Sequence, residues 1–251
     1  MNESAIKDLL FRVADDKLII GHRNSEWIGL GPILEEDIAF ASMAQDEVGH
    51  AQAYYSLLTE LGEAIPDILA FQRKPEAFLC CRLVEMPIGD YAFSLVRHYL
   101  FEMADKIRLE SLIQSSYEPL AKIAGRILRE ERYHQLHAET FLRQLATSTE
   151  ESNDRIQAAL NVVYPVAFSM FEPTEYTQSL ADEGIQETED ALMKKWQKEV
   201  EAFFTNCRLS IPDTSNFFEH FGGRTGKHSP DLVSLLSEMT EVVQIDPNAR
   251  W

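Results

Sequence analysis

Residues 45–50 read Gln-Asp-Glu-Val-Gly-His, and residues 129–134 read Arg-Glu-Glu-Arg-Tyr-His. Each holds a glutamate followed three positions later by a histidine: Glu47 with His50, and Glu131 with His134. On a helix, residues three apart leave the same face about one turn from each other, so a carboxylate and an imidazole so placed can grip one ion together. A single pair of this kind arises by chance in any long helix, but two pairs on separate long helices are a much stronger signal. Both glutamates also interrupt apolar stripes. Glu47 lies in the series Phe40, Met43, Glu47, His50, Tyr54; Glu131 lies in Leu120, Ala124, Ile127, Glu131, His134, Ala138, Phe141. A carboxylate facing a core is costly unless it is paired, protonated or metal-bound.

Working outward, the dominant hydrophobic period is 3.6. It predicts a first helix over 4–28, stopped by the Gly-Leu-Gly-Pro run at 29–32. Pro32 suits the first turn of a second helix, with Glu35, Glu36 and Asp37 favouring its N-terminus and Gly62 ending it. Residues 62–88 read as an irregular connection with room for one short helix. Asp90 is placed to cap a third long helix to about Gln114, and 119–146 forms a fourth. Two helical hairpins joined by one long crossover are the connectivity of an all-α, ferritin-like four-helix bundle. Beyond a polar break at 148–154, further helices are expected over 155–171, 185–207 and 230–243. The economical reading is a single domain, 1–251, with a core bundle at about 4–146 and a C-terminal helical extension at about 150–251.

In such a bundle the two remaining helices each supply one carboxylate to a di-iron or di-manganese cage. Glu102, in the series Leu95, His98, Glu102, Leu109, precedes Glu131 by 29 residues, as expected across a tight hairpin. The matching place on the first helix precedes Glu47 by 30 and is Lys17, in the series Leu10, Val13, Lys17, Ile20. An amine therefore stands where the fourth carboxylate belongs. A protonated lysine repels a metal cation and can neutralise Glu47, Glu102 or Glu131 in its place. Two outcomes stay open: an internal salt-bridge cluster, or one metal kept on Glu102, Glu131 and His134. Asp15 and Asp16 point to other faces and read as surface acids. His137 reads as a polar-face residue, His22 and His98 as lone histidines outside the ligand set, and Tyr54 and Tyr133 as core filling.

The net charge is −18, which disfavours nucleic acid or an anionic membrane surface as a partner. No apolar stretch is long enough to span a membrane. Met1–Lys17 lacks the features of a signal peptide. Three cysteines, two of them the adjacent Cys80 and Cys81, suit a reduced, cytoplasmic protein. The run Phe-Gly-Gly-Arg-Thr-Gly-Lys-His-Ser-Pro at 221–230 is the Gly-rich, basic spot in this acidic chain. It is not a phosphate-binding P-loop, because the spacing fails and His228 follows Gly226-Lys227. It reads as a flexible loop, with docking to a partner chain or to the phosphates of a coenzyme A ester as the other possibility.

Several stretches together resemble the C-type component of ring-1,2-phenylacetyl-CoA epoxidase. They are Ser-Glu-Trp-Ile-Gly-Leu-Gly-Pro at 25–32, Glu-Glu-Asp-Ile-Ala-Phe at 35–40, Ser-Ser-Tyr-Glu-Pro-Leu at 115–120, Glu-x-Arg-Tyr-His at 130–134, Gly-Gly-Arg-Thr-Gly-Lys-His at 222–228, and Trp251 at the chain end. The resemblance covers nearly the whole chain. It implies a structural subunit of a bacterial multicomponent oxygenase that epoxidises the ring of phenylacetyl-CoA in aerobic phenylacetate breakdown. A homologous A-type component would hold the di-iron centre and the substrate. A small B-type component would bridge A–C pairs, and a reductase with flavin and an iron–sulfur cluster would deliver electrons from NADPH. The resemblance gives this chain no catalytic residues and no bound cofactor. Glu47, His50, Glu102, Glu131 and His134 would be vestigial metal positions, a fuller set than a purely structural subunit needs. The alternative is a di-metal oxygenase or oxidase using that set.

Overall fold

The structure is a computed structural model that describes residues 1–246; Trp251 lies outside the described residues. Among those residues the secondary structure is helical, with no strand.

Helix α1 (Glu3–Ser25) is capped by Asn2, whose side chain accepts the Ala5 N–H at 3.3 Å. Helix α2 (Leu34–Glu60) starts after an extended Ile33, so Pro32 precedes the first turn instead of opening it. Glu35, Glu36 and Asp37 lie in that turn, where the helix dipole favours acids. Gly62 closes α2 at φ +91°, with Glu63 N–H bonding back to Leu58 O at 3.0 Å.

The crossover carries two short helices where one was expected, α3 (Pro66–Phe71) and α4 (Arg82–Glu85). Asp90 caps α5 (Tyr91–Leu112) through the Phe93 N–H at 2.9 Å. The expected fourth helix is two pieces, α6 (Glu118–Glu130) and α7 (Arg132–Ser148), interrupted at Glu131. There ψ of −14° tightens the winding locally.

Helix α8 (Glu150–Ala167) begins well before the expected residue 155, because Thr149 and Ser152 form a reciprocal cap. It gives way to a 3₁₀ turn at Phe168–Phe171. Then follow α9 (Thr177–Asp182), α10 (Glu189–Asn206) and α11 (Pro230–Ile245).

The hairpins α1–α2 and α5–α6/α7 form the four-helix bundle of the ferritin-like class. Helices α8 and α10 cover α5, α4 and α9 lie against α1, and α11 rests on α3. Between bundle and extension, Trp196 is fully buried, packs on Tyr164, Phe168 and Phe171, and donates its indole N–H to Leu100 O at 3.1 Å. This layering leaves the outer face of α2 and α7 open, with Leu34, Ile38, Val48, Tyr133 and Leu136 exposed. No helix among the described residues is long and apolar enough to cross a membrane.

Candidate functional site

Each long helix of the bundle sends polar groups to one point in its middle. Helix α1 supplies Lys17, and α2 supplies Glu47 and His50. Helix α5 supplies Glu102 and Asp105, and the α6–α7 junction supplies Glu131 and His134. All but Asp105 are at most 3% exposed, and the Asp105 side chain is 11% exposed. Helices α1 and α2 approach closely here: a Cβ on Gly21, one turn past Lys17, would lie 3.1 Å from Glu47 Cβ. That approach lets the lysine reach across.

The Lys17 Nζ lies 2.5 Å from Glu131 Oε1, 2.8 Å from Glu47 Oε2 and 2.9 Å from Asp105 Oδ2, and 5.2 Å from the centre of the Phe101 ring. Burial alone would strip its proton. Asp105, Glu131, Glu47 and Glu102 outweigh that and hold its pKa well above the usual lysine value. The ammonium sits where the sequence spacing places it, and three carboxylates surround it.

The two histidines complete the cluster. His50 Nδ1 is 3.1 Å from Glu131 Oε1, and its Nε2 is 2.9 Å from the half-exposed Glu130. Burial opposes its charge, but hydrogen bonds to Glu131 and Glu47 raise its pKa to about 9. His134 Nδ1 lies 3.0 Å from Glu131 Oε2, 3.6 Å from Glu47 and 3.7 Å from Glu102, while its Nε2 is 3.3 Å from Asp46. Against burial, Glu102, Glu131 and Glu47 hold it protonated.

The carboxylates divide. Burial and the Glu131 charge push Glu102 well above the usual range, so it stays protonated and hydrogen-bonded to Glu131. Burial also favours neutral Glu47 and Glu131, and Glu47 feels the Glu131 charge besides. The Lys17 ammonium and the histidine hydrogen bonds nevertheless hold both well below the ordinary carboxylate value. Burial lifts Asp105 to about 6 even with Lys17 opposing. At neutral pH, then, Lys17, His50 and His134 are cations facing Glu47, Glu131 and Asp105 as anions. The cluster is internally neutral.

Glu47, Glu102, Glu131 and His134 each offer one ligand atom, all within 4.8 Å of one another. A two-metal cage does not fit this donor set, because the Lys17 ammonium already lies at ion-pair distance from two of its three carboxylates, Glu47 and Glu131, and from Asp105 beside them. The chemistry of the remaining donors would suit one hard or borderline ion at most.

All five expected site residues and Lys17 come together as the spacing predicted. Asp105 was missed. It stands three residues after Glu102, the same spacing that drew attention to the Glu-His pairs. Asp15 and Asp16 are not surface acids: Asp15 is buried against Arg73 (2.5 Å), Tyr55 and the Leu79 N–H, and Asp16 against Arg224 (2.7 Å) and the Cys81 N–H. His137 is buried and lies 3.0 Å from Glu36, which also accepts the Tyr91 hydroxyl at 2.5 Å. His98 is wholly buried beside Phe40 and His134, and burial holds it neutral. Tyr54 fills the core as expected, whereas Tyr133 is half exposed on the open face of α7.

Comparison with known proteins agrees with this architecture. The chain is 31% identical over 241 residues to the C component of 1,2-phenylacetyl-CoA epoxidase of Escherichia coli (strain K12), with 96% of each chain covered. It is 25% identical over 203 residues to the A component of the same epoxidase from that organism, covering 78% of this chain and 65% of that one. The model of the family described as phenylacetic acid catabolic protein matches residues 1–251, and the chain belongs to that family.

Proposed function

We propose that this chain is a non-catalytic, C-type subunit of a multicomponent oxygenase that epoxidises the ring of phenylacetyl-CoA in aerobic phenylacetate breakdown. One observation carries the reading: the Lys17 ammonium lies within 3 Å of Glu47, Asp105 and Glu131, where a homologous catalytic chain would need metal. Similarity to the C component of the Escherichia coli epoxidase along 96% of the chain supports it. The chain acts as a single cytoplasmic domain that scaffolds a homologous A-type partner holding the di-iron centre and substrate. A reductase with flavin, an iron–sulfur cluster and NADPH completes the assembly, together with a small B-type component.

The face offered to the A-type partner is the open side of α2 and α7, with Leu34, Ile38, Val48, Tyr133 and Leu136. Within 222–228, Arg224 is buried against Asp16 while Thr225 and Lys227 stay exposed.

A second reading has its own support. It takes Glu47, His50, Glu102, Glu131 and His134 as the ligands of a di-metal, iron or manganese, oxygenase or oxidase, and the convergence of four of these donors within 4.8 Å of one another supports it. One experiment separates the two. The chain is expressed with and without an A-type homologue, and its iron and manganese are measured together with epoxidation of phenylacetyl-CoA. The scaffold reading expects co-purification, no turnover by the chain alone, and iron in the A-type partner. Two tightly held irons in this chain, or epoxidation without the A-type chain, would overturn it. The variant Lys17→Glu should convert the cluster into one that takes up iron.

A further inference from the structure

Residues 221–230, expected as a flexible loop, are threaded into the molecule. Glu172 accepts the N–H groups of Gly222 (2.8 Å) and Arg224 (3.3 Å). The Arg224 guanidinium donates to both Asp16 oxygens and to the carbonyls of Leu79 and Met170. A Cβ on Gly223 would fall 2.2 Å from Cys80 O, and one on Gly226 would fall 2.3 Å from Glu76 O, so only glycine lets the backbones lie this close.

This threading delivers His228 to a buried corner beside α4. Its Nε2 lies 2.8 Å from the Phe78 carbonyl oxygen. A carbonyl can only accept, so Nε2 carries a hydrogen. Its Nδ1 faces Glu85 Oε1 at 2.7 Å and Cys80 Sγ at 3.9 Å. The second Glu85 oxygen is fixed by the Ser229 N–H (2.7 Å) and Arg82 (3.1 Å). A bare Nδ1 and a bare carboxylate oxygen are both acceptors, and two acceptors cannot face each other at 2.7 Å. One positive charge must lie between them, and it is either a proton or a metal ion.

We propose that Cys80, Glu85 and His228 form a binding site for one borderline divalent metal ion of the zinc class, distinct from the Lys17 cluster. The three donors offer atoms within 4.8 Å of one another. Thiolate, imidazole and carboxylate are the ligand types such an ion takes. The outer contacts are those of a metal-binding histidine and carboxylate: the second imidazole nitrogen on a backbone carbonyl, and the second oxygen on an N–H and a guanidinium. Tetrahedral bonding would set the S–N separation at about 3.5 Å and the N–O separation at about 3.4 Å. Cys80 therefore closes in by a few tenths of an ångström while Glu85 backs away.

Ligation needs the Cys80 thiolate and a bare Nδ1, so a proton on either atom leaves as the ion binds. Without the ion, burial and then Glu85, Asp15 and Asp16 push that thiol's pKa well up and leave it inert. The bound ion would rivet the 221–230 segment to the crossover, joining the C-terminal extension to the bundle.

The test uses the full chain, stripped of metal by a chelator and titrated with cobalt(II). The expected result is one cobalt per chain with a near-ultraviolet thiolate-to-cobalt charge-transfer band, displaced by zinc. The cluster of Glu47, Glu102, Glu131 and His134 has no sulfur and cannot produce that band. Cys80→Ser should abolish it, Cys207→Ser should leave it, and His228→Gln should weaken cobalt affinity at least about tenfold. The wild-type titration decides the matter even if a variant fails to fold. Absence of the band would show that a proton alone holds His228 to Glu85, and its persistence in Cys80→Ser would show that another thiol binds the cobalt; either result overturns the proposed site.

Discussion

Replacing Lys17 by methionine keeps the length of the side chain and removes its charge. In the native chain three carboxylates lie 2.5–2.9 Å from that ammonium. Removing one member of a buried ion pair costs about 3–5 kcal/mol, because the partner is left charged and unpaired. Here the loss does not triple, since a buried acid can escape by taking up a proton. Asp105, already lifted to about 6, does so first. For a chain of this size each kcal/mol moves the midpoint about 2–4 °C, so the melting temperature should fall by about 6–20 °C near neutral pH.

The pH dependence has a definite sign. Glu47 and Glu131 have depressed pKa values, so their stabilisation is present above the ordinary carboxylate range and fades as pH falls through their low folded values. Asp105 runs the other way: its raised value means that proton uptake below about 6 favours the folded state. Without Lys17 all three acids behave as Asp105 does. The deficit of Lys17→Met relative to wild type should therefore be largest at about pH 8 and shrink toward about pH 5. Adding Asp105→Asn should restore about 1–2 kcal/mol, a coupling expected of groups in direct contact. The assay is thermal unfolding followed by far-ultraviolet circular dichroism, with a chelator present so that no ion takes the amine's place. A deficit below about 2 °C, or one that grows on acidification, would refute the claim that this ammonium neutralises the cluster.

Three further outcomes can be checked. Glu189 bridges the buried Arg12 and Arg108, which overcome the burial penalty and bring its pKa down to about 2. Glu189→Gln should lower stability by about 3–5 kcal/mol in urea unfolding, with the difference fading as pH falls below the unfolded value of 4.5 toward 2. Gly223→Ala forces a methyl into the Cys80 carbonyl; limited proteolysis should then cut within 221–230, where the native chain resists. Leu34→Asp combined with Leu136→Asp touches only exposed side chains. It should leave the melting temperature within about 2 °C of wild type while abolishing co-purification with the A-type homologue.

The bundle and its centre were legible because they follow from local rules. The two Glu-x-x-His pairs, the apolar stripes around them and the 30-residue step back to Lys17 each depend only on helical periodicity and hairpin geometry. Asp105 obeys the same rule but was passed over, since a carboxylate at i+3 from a carboxylate suggests repulsion until Lys17 is seen against Asp105 and Glu102 is seen to keep its proton. Asp15 and Asp16 failed for a different reason. In a bare four-helix bundle their faces of α1 would be wet, but the crossover and the tail cover them. Their partners, Arg73 and Arg224, lie 58 and 208 residues away in the chain. No periodicity within α1 encodes such distant partners. The interruption at Glu131 is likewise invisible in the pattern, because the apolar stripe runs through it unbroken.

The substitution at position 17 also bears on how the chain reaches its folded state. A cage of four carboxylates and two imidazoles is a repulsive cluster until metal arrives, so its folding is tied to metal supply. With Lys17, the cations and anions of the cluster balance within the chain itself, and Glu102 takes its own proton. The retained glutamates and histidines are then no longer leftover ligands. Glu47 and Glu131 are countercharges to the ammonium, and protonated His50 and His134 balance the negative charge that one lysine leaves over, which accounts for a fuller set than loss of metal binding alone would leave. Removing Glu47 or Glu131 singly should therefore cost about as much as removing Lys17, about 3–5 kcal/mol, because each strands a buried charge. If the carboxylates were relics, their loss would relieve repulsion and stabilise the chain.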